Sequence, residues 1–240
     1  MLQQILGKVQ TGVYLARQWR NSADYMINND VFWDQYVRVW ERTDGWNAQT
    51  HVGDEWTGPQ RFRELLEKYS SKEYEALEIG CGGGRITETA VGLFSRVTAT
   101  DVSREMLRKA VESVKAPNVT FQRISGFSLA EFPAGSKDVV YSHDVFVHFS
   151  AMQVYPYLVE IEHVLRRGGT GIISFRSYDL NFEMFRTAAM NLWQHKRYPP
   201  HMRNHFVTEE QVRLMIEHAG MQVVEIDKQP ERFLIAVFRK

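Results

Sequence analysis

Residues 74–90 read YEALEIGCGGGRITETA, a short apolar run that opens into Gly80, Gly82, Gly83 and Gly84. Glycine inside a helix or strand costs backbone entropy, so this cluster marks a loop in which bare backbone is required. The apolar run predicts a strand over 74–79, and the residues after Gly84 predict a helix over about 85–95. The glycines therefore occupy a strand-to-helix turn. In a doubly wound sheet such a turn lies beyond the carboxyl ends of the strands, where ligands bind. Without side chains, the turn lets a ligand rest against backbone amides and the start of the next helix.

The same alternation continues downstream. Strands are predicted over 97–101 (VTATD), 119–124 (VTFQRI), 138–143 (DVVYSH) and 170–176 (TGIISFR), with helices over 103–115 and 151–166. Gly168-Gly169 reads as the C-cap of the second of these helices. Residues 177–207, with Pro199-Pro200, read as an irregular lid. Thr208 and Gln211 form a capping-box pattern that opens a helix running to Ala219-Gly220. Two final strands, 221–227 and 232–239, are joined by so few residues that they must pair as an antiparallel hairpin. Upstream, GPQRFRELLEKYS (58–70) is a helix with Pro59 near its first turn and Phe62, Leu65, Leu66 and Tyr69 on one face. VFWDQYVRVW (31–40) places Phe32, Tyr36, Val39 and Trp40 at helical spacing, a stripe that reads as packing, with substrate contact as the alternative. The expected architecture is α/β: a doubly wound, seven-stranded, mostly parallel sheet with an antiparallel last strand. It forms one domain over 57–240 with a lid at 177–207, preceded by a helical N-terminal cap over 1–56.

The 240-residue chain carries 29 basic and 29 acidic residues, a zero net charge that argues against bulk nucleic-acid binding. Cys81 is its single cysteine, so a disulfide framework is impossible within the chain, and a reducing cytoplasm is the expected setting. The first twenty residues have no long apolar core and no small-residue cleavage site, so no signal peptide is expected. No run approaches the ~18 apolar residues of a membrane span.

Two familiar glycine patterns fail in the loop. In G-x-G-x-x-G, Arg85 stands at the third glycine, and no Gly-Lys-Ser/Thr follows for a phosphate-binding loop. Glu78, Gly80, Gly82 and Gly84 instead fit E-x-G-x-G-x-G at every position. Over roughly 57–176, with 208–239 in agreement, the chain resembles the class I S-adenosylmethionine-dependent methyltransferases. Asp101 ends its strand 21 residues after Gly80, where the family's acid binds both ribose hydroxyls of the cofactor. A carboxylate offers two acceptor oxygens to two donors. SHDVFVHF (142–149) resembles the family segment that passes near the transferable methyl. HVLRRGGTGIISF (163–175) resembles the family's RVLxPGGxxxxS stretch, with Arg167 where proline is usual. After the third strand the family often has an acid for the adenine amino group. Here Ile124-Ser125-Gly126-Phe127 offers a hydroxyl instead, with Ile124 or Phe127 to flank the ring.

The resemblance thus implies S-adenosylmethionine as cofactor. It implies a cofactor site from Glu78, Gly80, Cys81, Gly82, Gly84, Arg85, Asp101, Val102, Met106, Ser125, Gly126, Phe127 and Ser142. Trp56 either closes over the cofactor or packs the cap on the sheet. Arg85 either reaches the cofactor's carboxylate or makes a surface ion pair, and Cys81 reads as an inert small residue. His143 is the first candidate base, His148 the second, with Asp144 beside them. The alternatives are backbone contact for His143 and packing or capping for His148. His195, His201 and His205 lie in a locally basic segment, and His201 and His205 have metal-ligand spacing. No carboxylate is near them in sequence, so they are read as a solvated lid with no metal.

The leading expectation is methyl transfer to an oxygen or nitrogen of a small-molecule acceptor, with no nucleic acid or membrane as partner. An acceptor that is a protein or glycan is one alternative. A cofactor-binding protein without methyl transfer is the other.

Overall fold

The computed structural model describes residues 29–43, 60–195, 204–228 and 233–240. Trp56, Pro59, His201 and the 199–200 proline pair fall outside them, as does the His195 side chain.

The glycine loop follows the middle of a mixed sheet. Its strands are β1 (Glu75–Ile79), β2 (Arg96–Asp101), β3 (Val119–Arg123), β4 (Lys137–Ser142), β5 (Leu165–Ser177), β6 (Phe206–Val207), β7 (Gln222–Lys228) and β8 (Phe233–Arg239). The order is β3-β2-β1-β4-β5-β8-β7, parallel except for β8, which runs antiparallel to both neighbours. Seven described helices accompany it: α1 (Asn29–Thr43), α2 (Gln60–Lys68), α3 (Arg85–Ala90), α4 (Arg104–Ser113), α5 (Ala151–Val164), α6 (Tyr178–His195) and α7 (Glu209–His218).

Successive strand residues face opposite sides, so each apolar strand feeds two cores. Leu77, Ile79, Val140, Ile173 and Phe175 pack with Leu158 and Ile161 of α5 and Ile216 of α7. Ala76, Val97, Ala99, Val139, Tyr141 and Ile172 pack with Phe62, Leu65 and Leu66 of α2 and Ile86 of α3. The parallel register sets the carboxyl ends level: Ile79 lies beside Thr100, and Glu78 beside Tyr141. The loops after β1, β2 and β4 therefore emerge together.

The expected elements are present, with four corrections. The helix after the glycine loop stops at Ala90, because Gly92 and Phe94 turn the chain back and Ser95 N donates to Tyr74 O at 2.9 Å. Gly168-Gly169 does not cap α5. The helix ends at Val164, Leu165 is already extended, and β5 starts there. The glycine pair serves the chain end instead: Gly168 N donates to Lys240 O (2.8 Å) and Lys240 N to Gly169 O (3.2 Å). A Cβ on Gly169 would meet two carbonyl oxygens at 2.9 and 3.1 Å. The 177–207 segment is not irregular over its first part: α6 occupies it to His195, bent at Asn181, whose side chain donates to Ser177 O (3.0 Å). Its outward face carries Phe182, Met190 and Trp193, so the apolar residues form no single inward stripe. Finally, Phe206–Val207 adds a short eighth strand beside the end of β5. The capping box of α7 is present, with Thr208 Oγ1 accepting from Gln211 N and Gln211 Oε1 from Thr208 N.

The stripe expected on α1 is also corrected in part. Val37 is the fully buried position, packed with Met106 and flanked by Trp33 and Tyr36. Phe32 and Tyr36 are half-buried, and the side chains of Val39 and Trp40 are outside the description.

Candidate cofactor and active site

Gly80 leaves β1 with φ of 74°, a backbone region costly for side chains. Its amide and that of Cys81 both donate to Thr100 O at 2.8 Å, tying the loop to β2. A Cβ on Gly80 would lie 2.4 Å from Val145 Cγ2, so bare backbone is needed for the β4 loop to approach. At Gly82 the added Cβ would meet nothing within 4 Å, so this backbone faces open space.

That space is a cleft of about 950 Å³, its open mouth included. One wall is Glu78, Gly80, Cys81, Gly82, Gly83 and Arg85, with Asp101, Val102, Met106 and Gly126 adjoining. The facing wall is His143, Asp144, Val145, His148 and Phe149. The expected nucleoside-binding residues and the expected methyl-transfer residues thus share one cavity.

Four expected residues do not line it. Gly84 is the N-cap of α3 and packs against α4, where a Cβ would lie 2.9 Å from Val114. Ser142 is buried under the loop, its hydroxyl donating to Ile79 O at 2.7 Å. Ser125 is exposed, and its hydroxyl accepts from Phe127 N in a local turn (3.2 Å). Phe127 is half-buried outside the lining, and Ile124 takes the inner position.

Asp101 is buried at the end of β2. Its Oδ2 accepts from Gly82 N (2.9 Å) and its Oδ1 from Ser103 N (2.8 Å). A carboxylate has about four lone-pair sites, so each oxygen keeps capacity for a further donor. Burial raises its pKa to about 6, against the pull of these backbone amides. Glu78 is deeper. Thr87 Oγ1 (2.6 Å) and Tyr141 OH (3.2 Å) donate to it, and burial pushes it to about 7. Burial also pushes the Cys81 thiol well up, consistent with an inert side chain.

The three candidate proton acceptors differ sharply. The His143 ring packs between Phe62 (4.6 Å between centroids) and Phe233 (5.0 Å), and its buried Nδ1 has no hydrogen-bond partner among the described residues. Burial, with the nearby cations of Arg85 and Arg63, lowers its pKa to about 3. Such an imidazole is neutral and weakly basic, which counts against His143 as the base. Asp144 follows in a left-handed conformation (φ 58°), the one non-glycine residue with positive φ among those described. Strained backbone of this kind clusters at functional sites. Its amide donates to Ser174 Oγ (2.8 Å), and Arg176 Nη2 lies 3.6 Å from its carboxylate. Burial lifts it to about 6, opposed by Arg176 and Arg85. His148 ends a short 3-10 turn (Phe146–His148) and meets the Trp33 ring edge-on at 5.1 Å.

Trp33 and Tyr157 also line the cavity, and neither is evident in the sequence as a site residue. Tyr157 lies on the inward stripe of α5, stacked on Phe149 at 5.2 Å. Its helical spacing signals burial but not the cavity. Trp33 arrives from α1, remote in sequence. Among the described residues no group of histidine, cysteine and acidic side chains has the arrangement of a metal site. His201, one half of the candidate histidine pair, lies outside the description.

Residues 77–173 match the family model described as "Methyltransferase domain". An uncharacterized methyltransferase of Schizosaccharomyces pombe is 32% identical over 140 residues, 52% of this chain and 47% of that protein. A ubiquinone biosynthesis O-methyltransferase of Burkholderia vietnamiensis is 37% identical over 75 residues, 30% of this chain and 32% of that one. The chain thus spans about half or less of the length of these curated relatives. Among solved structures, magnesium protoporphyrin IX methyltransferase from Synechocystis with bound SAH superposes with a TM-score of 0.63. It is 17% identical and covers 88% of this chain and 95% of its own. The Haloferax volcanii methyltransferase in complex with the Trm112 activator gives 0.65, at 17% identity over 84% and 96% of the two chains. These structures share the fold. With its unbroken E-x-G-x-G-x-G turn, Asp101 at the end of β2 and a match that ends inside β5, residues 77–173 are similar to a methyltransferase domain, set in the fold these structures share.

Proposed function

We propose that this protein transfers a methyl group from S-adenosylmethionine to an oxygen, with nitrogen as the other candidate, of a small-molecule acceptor. The reading rests on one observation above others: the glycine turn with Asp101 and the Asp144–His148 segment wall the same cavity. The residues fit the cofactor. Gly82 leaves open space, and both Asp101 oxygens retain acceptor capacity for the ribose hydroxyls. Bound there, S-adenosylmethionine supplies a methyl already activated on a sulfonium.

The protein's own part is therefore alignment, proton removal and exclusion of water. Alignment of two reactants can supply about 7–11 kcal/mol of the barrier. Asp144, with its pKa raised to about 6, is ionised at neutral pH and takes the acceptor's proton. His148 is the second candidate for that role. Ile86, Val145, Phe149 and Trp33 make the walls apolar and limit water at the reacting atoms. The ubiquinone-pathway relatives are named as O-methyltransferases, which favours oxygen. Enclosure by side chains favours a small acceptor over a protein or glycan. Among the described residues no helix is long and apolar enough to cross a membrane. With its single thiol buried, a cytoplasmic setting is part of the proposal.

Calorimetry with S-adenosylmethionine, followed by transfer of a labelled methyl to phenols, sugars and amines, tests the reading. Binding is expected, with label on a hydroxylated small molecule. Binding with label on no acceptor would support a cofactor-binding protein instead.

A further inference from the structure

Helix α1 takes no part in the sheet, yet Trp33 reaches the cavity while its neighbours hold the helix to the cofactor side. Asp34 Oδ1 accepts from Ser103 Oγ (2.6 Å) and from Glu105 N (3.2 Å). Arg38 Nη2 donates to Glu105 Oε1 (2.9 Å), and Arg123 Nη2 to Asp30 Oδ2 (2.8 Å). Asp30, Asp34 and Arg38 are four residues apart, so they form one helix face. The outer two pairs are partly exposed and contribute little individually. Asp34 is the stronger attachment. It is half-buried, and it lies at the first turn of α4, where amides lack helical partners and negative charge is favoured.

Ser103 connects this attachment to the site. Its hydroxyl donates to Asp34 and accepts from Met106 N, while its amide donates to Asp101 Oδ1. Asp101 Oδ2 in turn accepts from Gly82 N. A continuous chain of hydrogen bonds therefore runs from α1 through Ser103 and Asp101 to the glycine loop. Beside it, Val37 packs on Met106 with Trp33 alongside, and Met106 itself lines the cavity. Trp33 thus extends from the Asp101–Met106 half of the cavity to His148 in the other half.

We propose that Trp33 is a cofactor-retaining contact of this site, and that Asp34, helped by Asp30 and Arg38, positions it as a latch joined to Asp101 through Ser103. The inference rests on the function proposed above. Its consequence is reciprocal. Engagement of Asp101 by the ribose favours a seated α1, and a seated α1 slows cofactor escape.

The test uses the full chain. S-adenosylmethionine affinity is measured by calorimetry, and its dissociation rate by displacement. Hydrogen exchange of α1 amides is followed with and without cofactor. Trp33→Ala is expected to raise Kd about tenfold, mostly through faster dissociation, with Trp33→Phe restoring most of it. Asp34→Ala is expected to do the same with the indole intact, raising the KM for cofactor far more than it lowers kcat. The Asp30→Ala, Arg38→Ala double variant loosens the latch while leaving the Asp34 bonds to Ser103 and to the Glu105 amide in place, so any folding defect of Asp34→Ala is separated from the effect. Cofactor should slow α1 exchange in the wild type and fail to do so in the latch variants. Wild-type dissociation rates in Trp33→Ala, or α1 exchange indifferent to cofactor, would overturn the inference while leaving the proposed function standing. A wild-type chain that binds no S-adenosylmethionine would overturn both.

Discussion

Replacing Glu78 by glutamine should stabilise the ligand-free protein at pH 8 and have little effect below pH 4.5. Glu78 is 3% exposed, and its pKa is raised from an ordinary 4.5 to about 7, chiefly by burial. Hydrogen bonds from Thr87 and Tyr141 favour the carboxylate but do not offset its desolvation. The sign follows from linkage. A carboxyl that holds its proton more tightly when folded contributes stability at low pH and loses it as pH rises through 7. At 1.36 kcal/mol per pKa step, the ionised wild type forfeits about 3 kcal/mol at pH 8 relative to pH 4.5. Glutamine has nearly the same shape, can accept from Thr87 through its carbonyl oxygen, and carries no charge to desolvate. Urea unfolding of both proteins between pH 4.5 and 8.5 provides the measurement. The variant's advantage should open near pH 5 and level off above pH 7.5. Parallel stability curves, or a variant less stable than wild type at pH 8, would refute the burial argument and place Glu78 in a wetter environment.

Further outcomes can be checked on the same protein. Asp101→Ala should weaken S-adenosylmethionine binding at least tenfold, about 1.4 kcal/mol, and unchanged calorimetric affinity would remove Asp101 from the ribose. The kcat/KM of the wild type should rise with pH through about 6 as Asp144 ionises. Asp144→Asn should lower kcat by about 10²–10⁴-fold and abolish that limb, whereas His143→Ala should keep it, since His143 titrates near 3. Gly80→Ala should cost about 1–3 kcal/mol through the clash with Val145, read as a fall in Tm, and Val145→Ala in the same chain should restore part of it.

Most of the scaffold was legible because its signals are local. Alternating apolar strands, the Thr208–Gln211 capping box and the short final hairpin each act within a few residues. The errors arose where a distant partner decides the local structure. Gly168-Gly169 resembles a helix stop but belongs to the pairing with Lys240, and α6 shows no clean stripe because part of its apolar surface faces outward. The candidate site followed the same rule. Gly80, Gly82 and Asp101 could be placed because one turn and one strand end fix them. Gly84 and Ser142, expected at the cofactor, support the loop from behind instead: Gly84 packs against α4 and Ser142 donates to Ile79 O.

The sequence by itself determined the parallel sheet, the glycine turn at its carboxyl edge and the acid that faces it, since periodicity and backbone sterics are properties of short segments. Only the tertiary structure decided which side chains enter the cavity and in what charge state. Burial lowers the pKa of His143 to about 3 and lifts that of Asp144 to about 6, and Trp33 arrives from a helix more than forty residues upstream of the loop. Desolvation depends on everything packed around a group, and much of that packing comes from parts of the chain far away in sequence.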